Sequence, residues 1–272
     1  MASPPSLLPS YGKALAGAVL PGGGGDNLPE AERTLEGVEV RREQLAAYDR
    51  VCGFRLSDRL PATYPHVLAF PLAMALMTER SFPFPLLGLV HVGNRIEQRR
   101  PLDAAEPLDL RVWAEDLRPH RRGRQLDVVA EAGAGGEPAW VGRSTYLRRE
   151  GSSGEGEDEG ESGHEPRPPE PPETKAVWKV PGDVGRRYAE VSGDRNPIHL
   201  HSLTAKLFGF PRAIAHGMWM KARCLAALEG AVGDGFTVEV EFRKPLLIPG
   251  TAEFGFDGRS FALGPHLTGT VS

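Results

Sequence analysis

At 272 residues the chain is long enough for one large domain or two of ordinary size. Its 40% hydrophobic and 25% charged residues mark a globular chain, and 33 glycines with 25 prolines point to local linkers rather than to general disorder. A net charge of −4 gives no electrostatic case for nucleic acid, and no window approaches about 18 apolar residues, so no membrane span is expected.

Two cysteines, Cys52 and Cys224, are too few for a disulfide framework or a four-cysteine zinc site. Both stand in apolar, helical contexts, which predicts buried free thiols and a reducing, cytoplasmic setting. The apolar run Leu15–Leu20 has no basic flank beyond Lys13, so no secretory leader is expected.

Residues 1–39 are rich in proline and glycine and read as an N-terminal arm, with a short helix possible over Leu15–Leu20. A helix is predicted over Arg42–Cys52, where Leu45, Tyr48, Val51 and Cys52 share a face and Gly53 is the stop. Phe70–Met77 is apolar on nearly every side, as a buried helix would be. Strand-like runs follow at Leu86–Val92, Leu108–Ala114, Leu126–Ala130 and Ala139–Leu147, separated by turn signals. From Gly151 to Glu173 no residue is apolar, and such a segment cannot offset its own ordering entropy; a disordered linker over 151–173 is predicted.

After the linker, a strand is expected at Val177–Val180 and a helix over Val184–Val191, capped by Asp183 and stopped by Gly193. A short helix near Leu203–Phe208 and a long apolar one from Gly217 to Glu229 come next. Strands at Thr237–Phe242, Thr251–Phe256, Ser260–Leu263 and Leu267–Val271 complete an α+β chain.

The halves 40–150 and 174–272 repeat each other. Tyr48, Val51 and Gly53 match Tyr188, Val191 and Gly193 at an offset of 140. Pro65 and Ala69 match Pro211 and Ala215 at 146, and Ile96–Leu102 matches Val240–Leu246 at 144. The step from 140 to 146 means that the second copy carries about six additional residues, and they fall where Asp194–His199 lies. The first copy has no carboxylate–amide–imidazole set there, and it has Phe70-Pro71 where the second has His216-Gly217. Chemistry is therefore expected in the second half and substrate accommodation in the first.

Pro197 biases Asn196 toward an extended backbone and stiffens the loop that carries Asp194 and His199. A carboxylate and an imidazole this close can share a water or a hydroxyl and move its protons near neutral pH. Gly217 opens the long helix, where a backbone N–H is free and a ligand oxygen can approach closely. The same residues also read as a simple turn with structural histidines. Asp194, His199, His201 and His216 could alternatively suggest a metal site, although the loop lacks helical ligand spacing. Arg118–Arg124 reads as a solvated basic hairpin, with Arg121 and Arg122 as candidate phosphate contacts.

Tyr188-x-x-Val191-Ser192-Gly193-Asp194-x-Asn196-Pro197-x-His199, with His216-Gly217-Met218 further on, resembles the hydratase-2 motif of MaoC-like dehydratases. The duplicated layout is similar to the double hot-dog members of that family that act on (3R)-hydroxyacyl thioesters. The resemblance covers residues 40–272. It implies a double hot-dog fold and reversible hydration of trans-2-enoyl thioesters of CoA or acyl carrier protein, with no cofactor and no metal. It also implies Asp194 and His199 as catalytic pair, Gly217 as carbonyl donor, Asn196 and His216 as supports, and an acyl tunnel in the first half lined by Phe70, Leu72, Met74 and their neighbours. A monomer acting as a pseudo-dimer, or a homodimer, is expected. Some family members place a serine on the following helix; here that region reads Cys224-Leu225. A hot-dog thioesterase and a non-catalytic acyl-binding subunit are the alternatives.

Overall fold

The structure is a computed structural model that describes residues 27–86, 88–150 and 171–272. The expected helix at Leu15–Leu20 and nearly all of the expected linker lie outside the described residues.

Among the described residues, ten strands form one antiparallel sheet. The first half contributes β1 (Arg33–Val38), β2 (Leu89–Gln98), β3 (Leu108–His120), β4 (Gly123–Ala134) and β5 (Glu137–Arg149). The second contributes β6 (Thr174–Val180), β7 (Phe236–Phe242), β8 (Gly250–Phe256), β9 (Ser260–Leu263) and β10 (Leu267–Val271). The order across the sheet is β1-β3-β4-β5-β2-β7-β10-β9-β8-β6. Read outward from the centre, each half has the same topology, and the halves join through β2 and β7. This is the double hot-dog arrangement.

Among the described residues there are six helices: α1 (Arg42–Cys52), α2 (Tyr64–Met77), α3 (Val184–Ser192), α4 (Pro197–Leu200), α5 (Ser202–Leu207) and α6 (Gly217–Ala227). α2 is the helix that the first half wraps. Val67, Phe70, Leu72, Met74 and Leu76 are all buried, so no face of it is left for solvent. Burying such side chains is worth roughly 1.5–3 kcal/mol each, which outweighs the helix bond lost at Pro71. α6 is its counterpart, and Trp219 ties it to α1 by donating to the Val51 carbonyl at 3.0 Å. Cys52 and Cys224 are free and buried, as expected.

Four differences from the expectations have physical causes. Residues 33–38, expected in the arm, form β1 and pair with β3, because Thr34, Leu35 and Val38 suit a strand edge. β2 starts at Leu89 and runs on to Gln98. Its polar stretch Asn94–Gln98 hides it from a hydrophobicity reading, yet these residues pair with β7 at the seam. α2 begins six residues before Phe70. Asp183 makes no side-chain cap: its backbone is helical (φ −95°, ψ −4°) instead of extended, and only its carbonyl serves, accepting from Arg187 at 3.0 Å.

Candidate active site

α3 ends at Gly193, whose left-handed backbone (φ 77°) turns the chain sharply into the Asp194–His199 loop. The loop then closes on itself. The Asp194 amide donates to Ser192 Oγ at 3.2 Å, the Asn196 amide to Asp194 Oδ1 at 3.1 Å, and the Ile198 amide to Asn196 Oδ1 at 3.3 Å. Asn196 is extended (φ −56°, ψ 125°), as the following proline demands, and it caps the single turn α4 that carries His199. Asn196 is thus a loop-former whose side-chain oxygen is engaged by the backbone.

The second wall is the extended segment 213–216. It is held on one side by Ile214 N donating to Ile198 O (3.1 Å) and on the other by Ala215 N donating to Leu246 O (2.9 Å). This clamp delivers two carbonyl–imidazole contacts. His199 Nδ1 lies 2.8 Å from the Ile214 carbonyl, which accepts its proton and so leaves Nε2 with a lone pair. His216 Nε2 lies 3.0 Å from the Asp194 carbonyl and 3.9 Å from Asp194 Oδ2. The two imidazoles stack with centroids 3.7 Å apart.

Burial acts on all three groups. It pushes the Asp194 carboxyl up, but the neighbouring His216 and His199 and the Asn196 amide outweigh it and hold the carboxyl below its ordinary value. Burial lowers His199, against the pull of Asp194 and the Ile214 carbonyl. It lowers His216 to about 3, reinforced by His199. At neutral pH the site therefore holds one carboxylate and two neutral imidazoles.

Gly217 is the first residue of α6, where helix amides have no internal partner and the dipole favours negative charge. A Cβ there would come within 3.1 Å of the Phe242 ring, so glycine keeps the amide reachable. Asp194, Asn196, His199, His216 and Gly217 all border one cavity of about 680 Å³.

The first half supplies the opposite side of that cavity with Phe70, Met74, Met77, Leu86 and Leu89. It also supplies three polar rings that sequence reasoning missed: His66 from α2, His91 from β2 and Tyr146 from β5. Nothing in their spacing marks them; the signal is spatial. His91 lies opposite Tyr146 in the β2–β5 pairing, just before a bulge, and stacks on it with centroids 4.8 Å apart. Leu72, expected on the tunnel, is core and does not border the cavity.

Arg121 and Arg122 sit exposed in the β3–β4 turn and are not among the residues bordering the cavity. The basic residues that do border it are Arg149, Arg195, Arg243 and Lys244. Cys224, on the helix where a serine contact was considered, is fully buried and off the cavity. His201 is exposed, while one donor atom each from Asp194, His199 and His216 lie within 4.8 Å of one another, a spacing that could hold a metal ion. No helix among the described residues is long and apolar enough to cross a membrane.

Comparison with known proteins gives a consistent picture. The MaoC like domain profile matches residues 164–255, which include Asp194, Asn196, His199, His216 and Gly217. The chain is 40% identical to 3-hydroxyacyl-thioester dehydratase X of Mycobacterium tuberculosis, over 98% of both chains. It is 27% identical to the enoyl-CoA hydratase ChsH3 of the same organism, over 77% of each. The crystal structure of HtdX from M. tuberculosis superposes with a TM-score of 0.76 at 37% identity, covering 89% of this chain and 99% of that one. On this end-to-end match, the chain belongs to the MaoC-like dehydratases.

Proposed function

We propose that the chain is a hydro-lyase that interconverts trans-2-enoyl and (3R)-3-hydroxyacyl thioesters in fatty acid metabolism. The observation that carries this reading is the convergence of Asp194, His199 and the start of α6 on one cavity. His199 Nε2 and the Asp194 carboxylate are both acceptors, so a water between them donates both protons and turns an oxygen lone pair toward the β-carbon. In hydration that oxygen bonds to the β-carbon, the π bond breaks, and a proton released to the pair returns to the α-carbon. The Gly217 N–H takes the thioester carbonyl as it gains enolate character, a donation typically worth ~3 kcal/mol. Dehydration follows the same path backwards. His216 holds the Asp194 loop through its carbonyl, and the first half, residues 40–150, accommodates the acyl chain while 174–272 does the chemistry.

The test is Asp194→Asn, which keeps the loop's shape but removes the charge. Enoyl-thioester absorbance should change about 10²–10⁴-fold more slowly; full activity in a folded variant sinks the assignment. The same assay separates the alternatives. A hot-dog thioesterase releases free thiol, and a non-catalytic acyl-binding subunit turns over nothing.

The close grouping of Asp194, His199 and His216 favours one second reading, a bound metal that activates the water. Exhaustive chelation decides it: the dyad reading expects activity to survive, and the metal reading expects it to vanish and return on adding the ion.

A further inference from the structure

Behind the first-half wall of the catalytic cavity lies a second, smaller void of about 10 Å³. Three residues border both spaces: His66, Phe70 and Tyr146. The side chains on the far side are small, with Ala73 on α2, Ala130 on β4 and Gly142 on β5. A water-sized hole in a core leaves its lining without contacts on one side and is normally closed by packing. Here it persists behind residues that also border the large cavity.

The wall is also placed where it can give way. Phe70 precedes Pro71 inside α2, and Pro71 has no N–H to donate to the preceding turn. The Phe70 ring meets the His66 ring at 6.3 Å, one helical turn earlier, at a tilt of 44° rather than in a tight stack. By the internal repeat, Phe70-Pro71 occupies the place of His216-Gly217. Pro71 thus deletes the amide that would answer to the carbonyl donor, and Phe70 replaces the imidazole with an apolar ring.

The geometry points to His66, Phe70 and Tyr146 as the end wall of the acyl channel, with Phe70 as the residue that sets how long a chain is accepted. Chains that end at the wall bind with Phe70 in place. Longer ones displace its ring and extend into the void between Ala73, Ala130 and Gly142. This rests on the hydro-lyase reading above for the identity of the ligand.

The experiment is a kcat/KM panel of saturated-tail enoyl-CoA thioesters, from the four-carbon member upward, on wild type, Phe70→Leu and Ala73→Val. One accommodated methylene is worth roughly 10–200-fold in such a pocket. Phe70→Leu should raise kcat/KM for chains beyond the wild-type limit by at least about ten-fold relative to the four-carbon substrate. Ala73→Val fills the void with the wall intact and should shorten the profile. Opposite shifts cannot come from general destabilisation, which moves both profiles down together. Unchanged profiles, or shifts of the same sign, overturn the proposal. If Phe70→Leu does not fold, Ala73→Val decides alone, because an unaltered profile with the void filled removes the chain from it. A wild type inert toward every member of the panel would instead overturn the hydro-lyase reading.

Discussion

Arg95 and Glu239 face each other across the β2–β7 seam and form an ion pair at 3.5 Å. They are also each other's counterparts in the internal repeat, at the offset of 144 that relates Ile96 to Val240. Tyr48 and Tyr188, counterparts at the offset of 140, likewise meet each other, with ring centroids 6.1 Å apart. Positions that touch their own equivalents lie on a two-fold relation between the halves, so the repeat read in sequence and the join seen in space are one feature. The ion pair itself is exposed (46% and 62% of the side chains) and should hold little of the join. The buried link is Lys221 on α6, fully enclosed, whose Nζ donates to Asn94 Oδ1 (2.6 Å) and Asn94 O (3.1 Å) on β2 and to Val238 O (3.3 Å) on β7. Arg95→Ala should cost at most about 1 kcal/mol. Lys221→Ala leaves three buried acceptors short of a donor and should cost at least about 3 kcal/mol. Urea midpoints of the two variants check this, and similar shifts would refute the assignment.

The parts of this fold that could be read from sequence were those with a local cause. α1 and α3 announced themselves by one apolar face and a glycine stop, and β9 and β10 by short apolar runs between turns. The site loop was legible because Pro197 and Gly193 constrain its backbone whatever surrounds it. β1 and the polar end of β2 were not legible, since their strand state is imposed by partners distant in sequence. The same holds for His66, His91 and Tyr146, which come from three separate elements. Arg121 and Arg122 stand out in the sequence because they are adjacent, whereas Arg149, Arg195, Arg243 and Lys244 become a group only through the cavity they border.

On the proposed mechanism, the protonation states of Asp194 and His199 set the pH dependence of turnover. Its competent form has Asp194 ionised and His199 neutral. Both groups are held below their ordinary values of 3.8 and 6.5, His199 by burial and Asp194 by its imidazole and amide neighbours against burial. The competent form therefore prevails at neutrality and is lost as pH falls. A plot of kcat/KM against pH should bend downward in acid with its midpoint below 6.5. An acid limb centred at or above 6.5 would contradict the buried-imidazole arrangement.

The basic residues of the cavity give a further contrast. Lys244 is exposed and borders the cavity, two residues after Phe242, which walls Gly217. An anionic head group on the thiol arm would pass it on leaving the carbonyl site. Lys244→Ala should raise KM for a CoA thioester several-fold with kcat nearly unchanged, the mark of lost uniform binding. Arg121→Ala, removed from the cavity, should leave both constants within about two-fold. The reverse ranking would place the head group at the β3–β4 turn. Raising the salt concentration should weaken the Lys244 effect, because exposed charges are screened.

Stability should depend on pH through a second set of groups with opposing signs. His66, His91 and His216 are lowered to about 4, 3 and 3, in each case chiefly by burial. Below pH 6.5 the unfolded chain takes up protons that the folded one refuses, so these three make stability fall as the solution is acidified. Asp49 acts the other way. It is 1% exposed, and neither carboxylate oxygen has a hydrogen-bond partner among the described residues. Burial, with Glu229 adding and Arg50 opposing, raises it to about 7. Between its unfolded value of 3.8 and about 7 the folded chain keeps a proton that the unfolded one releases, and stability falls as pH rises. Asp49→Asn cannot ionise, so it should gain on wild type by about 1.4 kcal/mol for each pH unit from about 4 to 7, and by nothing more above that. Urea unfolding of both proteins at several pH values measures the difference directly. A gain independent of pH would mean that Asp49 is ionised and partnered by groups that this fold does not bring to it.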